Sequence, residues 1–104
     1  MITEDAYLYT CLTEECAEVG QAVAKVLRFG RQGIRTARRL HANDVYLMHE
    51  VLDVLTVIEI LKERKLLPEI PPEQVQCLMK DKRARVLQSM EQARAGGRVA
   101  LEST

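Results

Sequence analysis

Apolar positions return at steps of three and four along most of the chain, the spacing that gathers side chains on one face of an α-helix. From about Asp5 to Arg28, the residues Leu8, Cys11, Leu12, Val19, Ala22, Val23 and Val26 form such a stripe. No proline interrupts it, and Thr3 or the acids beside it suit its N-terminus. Gly30 and Gly33 break the pattern, and a basic connection runs to about Ala42. Asn43 reads as the N-cap of a second helix with Asp44 in its first turn; this helix extends to about Leu67 and stops at Pro68. A turn on Pro68, Pro71 and Pro72 leads into a third helix from about Pro72. Its stripe is Val75, Met79, Val86, Met90 and Ala93, and Gly96-Gly97 ends it. The sequence shows no strand alternation, internal repeat or low-complexity segment. The expected fold is all-α: a bundle of three main helices in one domain, residues 1–97, followed by a flexible tail, 98–104.

The second helix changes that picture. Val45, Tyr46, Leu47, Met48, Val51, Leu52, Val54, Leu55, Val57, Ile58, Ile60 and Leu61 surround it on nearly every side. A helix apolar all round is buried all round, and two companions in one chain do not wrap it fully. A homodimer or higher oligomer is therefore expected to complete the core; the other reading is a monomer prone to aggregate. The chain of 104 residues, 47% apolar and 29% charged, is too short for a second full domain and buries a thin core by itself.

The 15 basic and 15 acidic side chains cancel, so net charge indicates neither nucleic acid nor membrane as partner. No run approaches the roughly 18 uncharged apolar residues that span a bilayer. Glu4 and Asp5 stand where a signal peptide carries positive charge. Cys11, Cys16 and Cys77 form no C-x-x-C pair, which indicates neither a disulfide framework nor a zinc knuckle. A cytoplasmic protein is expected.

Locally the charges separate. Residues 1–24 hold five acids and no base, whereas residues 25–43 hold six bases (Lys25, Arg28, Arg31, Arg35, Arg38 and Arg39) and no acid. At 100° per residue, Glu15 lies near the centre of the first helix's apolar stripe, Glu18 falls about 60° away at its edge, and Glu14 points further outward. A carboxylate on an apolar face is costly unless it is neutralised, paired or bound to metal. Glu50 and Asp53 on the second helix are again three apart and share a face, with Tyr46 and Val57 beside them. Two such pairs on consecutive helices bring four carboxylates together, a set that repels itself unless cations sit among them. Hard divalent ions fit an all-oxygen ligand set, Mg²⁺ first and Mn²⁺ as the alternative. Simple solvation, or pairing of Glu50 and Asp53 with nearby Lys or Arg, is the competing reading. The Glu-x-x-His motif of helical di-iron sites is absent, since Arg38 and Tyr46 precede His41 and His49 by three; both histidines read as surface or loop residues.

On the third helix Lys82 falls beside the apolar stripe, with Arg85 about 60° beyond it. Lys82 either snorkels to water or faces the acids and binds a phosphate held there, where Lys25 and Arg28 join it. Tyr7, Tyr9, Phe29 and Tyr46 are the only aromatics. Each is more often a core or rim residue than a stacking platform, and Phe29, flanked by Arg28 and Gly30, is the least comfortable as plain core. The arginine-rich stretch 31–39 lacks interleaved aromatics, which argues against nucleic acid.

Read in order, Glu14-Glu15-Cys16-Ala17-Glu18 followed by Glu50-Val51-Leu52-Asp53 is E-E-x-x-E … E-x-x-D. This resembles the signature of the MazG-like all-α nucleoside triphosphate pyrophosphohydrolases, over about residues 3–97. The stretch EECAEVGQAVAKVLRFG from Glu14 to Gly30 is especially similar to the short stand-alone bacterial and phage members. Between Glu18 and Glu50 lie 31 residues, toward or beyond the long end for that family. The extra length falls in the arginine-rich connection, so it bears on loop placement and base recognition rather than on the acids. The resemblance implies a helical bundle assembled as a dimer or tetramer. It also implies Mg²⁺-dependent cleavage of a nucleoside triphosphate between its α and β phosphates, giving the monophosphate and pyrophosphate. Glu15, Glu18, Glu50 and Asp53 match the metal-ligand places, and Glu14 matches an acid that positions the attacking water or holds a further ion. Lys82 corresponds best to the family's basic residue on the following helix, with Arg85 a turn later. Lys25, Arg28 and Phe29 are the further candidates for substrate contact. The reading from another class is a non-catalytic helical oligomer that binds nucleotide or a protein partner, its acids serving as a metal staple.

Overall fold

The computed structural model describes residues 1–33 and 41–100. Three helices account for about three-quarters of them: α1 (Glu4–Phe29), α2 (Asn43–Glu63) and α3 (Pro72–Ala95). No strand occurs among the described residues. The chain divides into two compact units, Met1–Pro68 and Glu69–Thr104.

In the first unit, α1 starts where Thr3 accepts a hydrogen bond from the Ala6 N–H on its side-chain oxygen, at 3.1 Å. That interaction satisfies one of the helix's orphan donors, and Glu4 and Asp5 complement the positive end of its dipole. Gly30 ends it with φ 85°, a left-handed conformation that glycine adopts without a Cβ clash. Its N–H still donates to the Val26 carbonyl at 2.9 Å.

The start of α2 differs from the sequence expectation. Asn43 is not the N-cap; Ala42 takes that place and contributes no side-chain bond. Backbone from the turn after α1 caps the helix instead. The Asn43 N–H donates to the Gly33 carbonyl at 3.0 Å, and the Asp44 N–H to the Arg31 carbonyl at 2.9 Å. Asn43 is itself nearly fully buried at 2% exposure, and its side-chain amide donates to the Gly30 carbonyl at 3.0 Å. A Cβ on Gly33 would stand 2.5 Å from the Phe29 carbonyl oxygen and 3.0 Å from the Asn43 amide nitrogen, so only glycine fits this knot. The basic positions Arg35, Arg38 and Arg39 lie outside the described residues.

The end of α2 also falls short of the expected Leu67. Lys65 turns left-handed at φ 62°, the Leu66 N–H reaches back to the Leu61 carbonyl, and the Lys65 N–H reaches the Lys62 carbonyl. This is a Schellman closure with lysine where glycine is usual, and it stops the helix before Pro68 does.

Contacts at both ends fix α1 and α2 as an antiparallel hairpin. Near the start of α1, the Tyr9 hydroxyl donates to the Leu66 carbonyl at 2.6 Å, and Arg64 pairs with Glu4 at 2.6 Å. That ion pair is solvent-exposed and contributes about 0–1 kcal/mol. Near the other end, the Lys25 ammonium lies 5.6 Å from the Tyr46 ring centroid. Ala22 and Leu61 are the buried apolar side chains among the described residues. Two helices cover only one stripe of each other, so Val45, Met48, Leu52 and Leu55 of α2 remain exposed despite their chemistry.

In the second unit, Pro72 opens α3 at a position that needs no N–H. Gly97 closes it at φ 78°, with the Gly97 and Arg98 N–H groups returning to the Arg94 and Ala93 carbonyls. Arg98, expected in the tail, thus completes the helix terminus, while residues 101–104 lie outside the described ones. Val75, Met79, Val86 and Met90 of the α3 stripe are all exposed, and Ala93 is half-buried. No helix among the described residues is long and apolar enough to cross a membrane.

Candidate functional site

The middle of the hairpin brings acids from both helices to one place. Glu15 of α1 and Glu50 and Asp53 of α2 each offer a carboxylate oxygen within 4.8 Å of the others. Helical phase causes this: Glu50 and Asp53 are three apart on the side of α2 that meets α1, and Glu15 sits within the stripe that α1 turns toward α2. Exposure is graded across the trio. Glu50 is only 9% exposed, Glu15 is half-buried and Asp53 is open to solvent.

Among the described residues, none forms an ion pair or hydrogen bond with any of these three carboxylates; the ion pairs present are Arg64–Glu4 and Arg94–Glu91. The repulsion is felt at Glu15. Burial pushes its carboxyl above the ordinary value of 4.5, and the charges of Asp53, Glu50, Glu18 and Glu14 push it further in the same direction. Three unneutralised oxygens at this spacing suit a small hard cation. Ligands on opposite sides of such an ion lie about 4–5 Å apart when each bond is about 2.0–2.6 Å. Oxygen-only donors favour Mg²⁺, Mn²⁺ or Ca²⁺ over softer metals.

The other expected residues fall into three groups. Glu18 and Glu14 are exposed on α1; both lie outside the close trio, yet both raise the Glu15 carboxyl. Lys25, Arg28 and Phe29 come together with Gln21 and Ala24 around a hollow of about 310 Å³ at the C-terminal end of α1. There the Arg28 guanidinium stands 5.4 Å from the Phe29 ring centroid. Lys82 and Arg85 are exposed on α3, in the second unit. His41 and His49 are exposed, as expected, and stack edge to face with ring centroids 5.1 Å apart.

Two residues gain weight from the structure. Gln21 lines the basic hollow and carries no signal in the sequence, because a glutamine on a helix surface is unremarkable. Tyr46, a core or rim residue by its sequence, is the ring under Lys25, on the same face of α2 as Glu50 four residues on. No family model, curated protein or solved structure matches the chain.

Proposed function

We propose that this chain is a Mg²⁺-dependent nucleoside triphosphate pyrophosphohydrolase of the MazG-like kind, cleaving between the α and β phosphates. The convergence of Glu15, Glu50 and Asp53 within 4.8 Å across two helices carries this reading. The E-E-x-x-E … E-x-x-D pattern supports it, because the three residues that meet are three of the four that the resemblance names as ligands. Glu15, Glu50 and Asp53 hold the ion, with Glu18 one turn along α1 as the fourth carboxylate. When bound, Mg²⁺ neutralises triphosphate charge and makes a nearby water easier to deprotonate.

The chain's own side chains do the rest. Glu14 orients the attacking water, which adds to the α phosphorus as the bond to the α–β bridging oxygen breaks. Pyrophosphate leaves with that oxygen. Lys25 and Arg28 draw the anionic substrate to the end of α1. The exposed apolar side chains of α2 support a working homodimer or homotetramer, in which a second copy covers them.

The test is pyrophosphate release from a panel of nucleoside triphosphates in Mg²⁺. Turnover is expected for the wild-type chain and a fall of about 100-fold for Glu15→Ala and for Asp53→Ala. That loss equals about 2.7 kcal/mol of transition-state stabilisation. Nucleotide binding that tightens with Mg²⁺ but never leads to turnover would establish the non-catalytic binder instead.

A further inference from the structure

His41 and His49 are the two histidines of the chain, and both belong to the first compact unit. His49 stands in the second turn of α2, and His41 lies one residue before its N-cap, Ala42. The chain between them brings the two rings together, with centroids 5.1 Å apart and planes at 76°. Both side chains are exposed. Among the described residues neither imidazole makes an ion pair or hydrogen bond, so their nitrogens face water. An edge-to-face contact uses the face of one ring and one edge of the other. Metal ligation uses the in-plane lone pair of a ring nitrogen instead. Each imidazole carries its two nitrogens at different points of its edge, and one edge contact does not use them up.

The separation of the rings is the one that a shared ion requires. A zinc–nitrogen bond of about 2.0–2.1 Å puts the ring centroid about 3.2 Å from the ion, and two rings at a tetrahedral angle then have centroids about 5.2 Å apart. The observed distance is 5.1 Å. We propose that His41 and His49 form a second metal site, for a borderline divalent ion of the Zn²⁺ class, with water in the remaining positions. Imidazole suits Zn²⁺, Ni²⁺ and Cu²⁺, whereas an all-carboxylate set suits Mg²⁺ and Mn²⁺. The chain thereby sorts ions by chemistry: hard ions go to Glu15, Glu50 and Asp53, and borderline ions to the histidine pair. An ion on the pair ties the residue before the α2 cap to the second turn, across a helix start that has no side-chain cap of its own. This inference is independent of the pyrophosphohydrolase reading.

The experiment titrates Zn²⁺ into metal-free wild-type chain, His41→Gln, His49→Gln and Glu15→Gln, followed by calorimetry in millimolar Mg²⁺. Either histidine substitution is expected to weaken zinc binding at least about tenfold, the cost of losing even an outer-shell partner, while Glu15→Gln leaves it in place. Co²⁺ as a paramagnetic substitute should perturb the ring signals of both histidines together in NMR spectra of the wild-type chain, which has no other imidazole. Thermal melts show whether each variant folds, and the Co²⁺ spectra decide the matter if a histidine variant does not. No zinc binding by the wild-type chain, or equal affinity in wild type and both histidine variants, overturns the assignment. So does perturbation of one histidine without the other. Zinc affinity that falls in Glu15→Gln as far as in the histidine variants also overturns it, because the ion would then belong to the acidic trio.

Discussion

Glu15 feels four other carboxylates, and its raised pKa is the residue-scale signature of the site. The folded chain binds this proton more tightly than the unfolded one, so stability falls as pH rises from 4.5 through the elevated folded-state value. Glu15→Gln removes that dependence. In chelator at pH 7.5 the variant is expected to melt above wild type, with the difference closing as pH falls toward 4.5. In millimolar Mg²⁺ the order should reverse, because the amide is a poorer ligand than the carboxylate it replaces. Melting curves at several pH values, with and without Mg²⁺, check both signs; a variant that never exceeds wild type in chelator contradicts the repulsion. Much of this was legible in the sequence. An acid in the middle of an apolar stripe announces itself, and Glu50 and Asp53 at three-residue spacing do the same. Which three of the four acids meet was not legible, because a difference of about 60° around α1 separates Glu15 from Glu18, and only the packed register of two helices decides between them.

Helix boundaries are local chemistry, and the structure departs from the sequence reading where that chemistry is unusual. Thr3 behaves as an N-cap should, and Thr3→Ala is expected to cost about 1 kcal/mol. Asn43 looked like an equally good cap, yet the carbonyls of Arg31 and Gly33 supply the bonds and Asn43 is turned inward to hold Gly30. Capping by backbone from a distant turn leaves no mark on residue type, so it was not legible. The early end of α2 comes from a local closure at Lys65, equally unmarked because lysine at a left-handed position is rare. The consequence of the backbone cap is a strong dependence on Gly33. A methyl group there meets backbone at 2.5 Å, and Gly33→Ala should destabilise the hairpin by about 1–3 kcal/mol. Urea unfolding measures this, and a variant as stable as wild type would show that the turn relaxes freely.

Many large apolar side chains stand exposed among the described residues. Met48, Leu52 and Leu55 of α2 are each about half exposed, and the all-round apolar character of this helix was plain from its sequence. If a second copy covers them, the chain should sediment as a dimer or tetramer, and Leu52→Glu with Leu55→Glu should shift it to smaller species. A wild-type monomer at micromolar concentration contradicts that assembly.

Direct metal binding is the shortest route to the central claim. Titration of Mn²⁺ or Mg²⁺ into metal-free protein, followed by calorimetry, should show saturable binding by the wild-type chain and an affinity at least about tenfold weaker in Glu50→Gln and Asp53→Asn. Identical titrations for all three proteins, or no saturable binding by any of them, would mean that the meeting of Glu15, Glu50 and Asp53 is not a metal site.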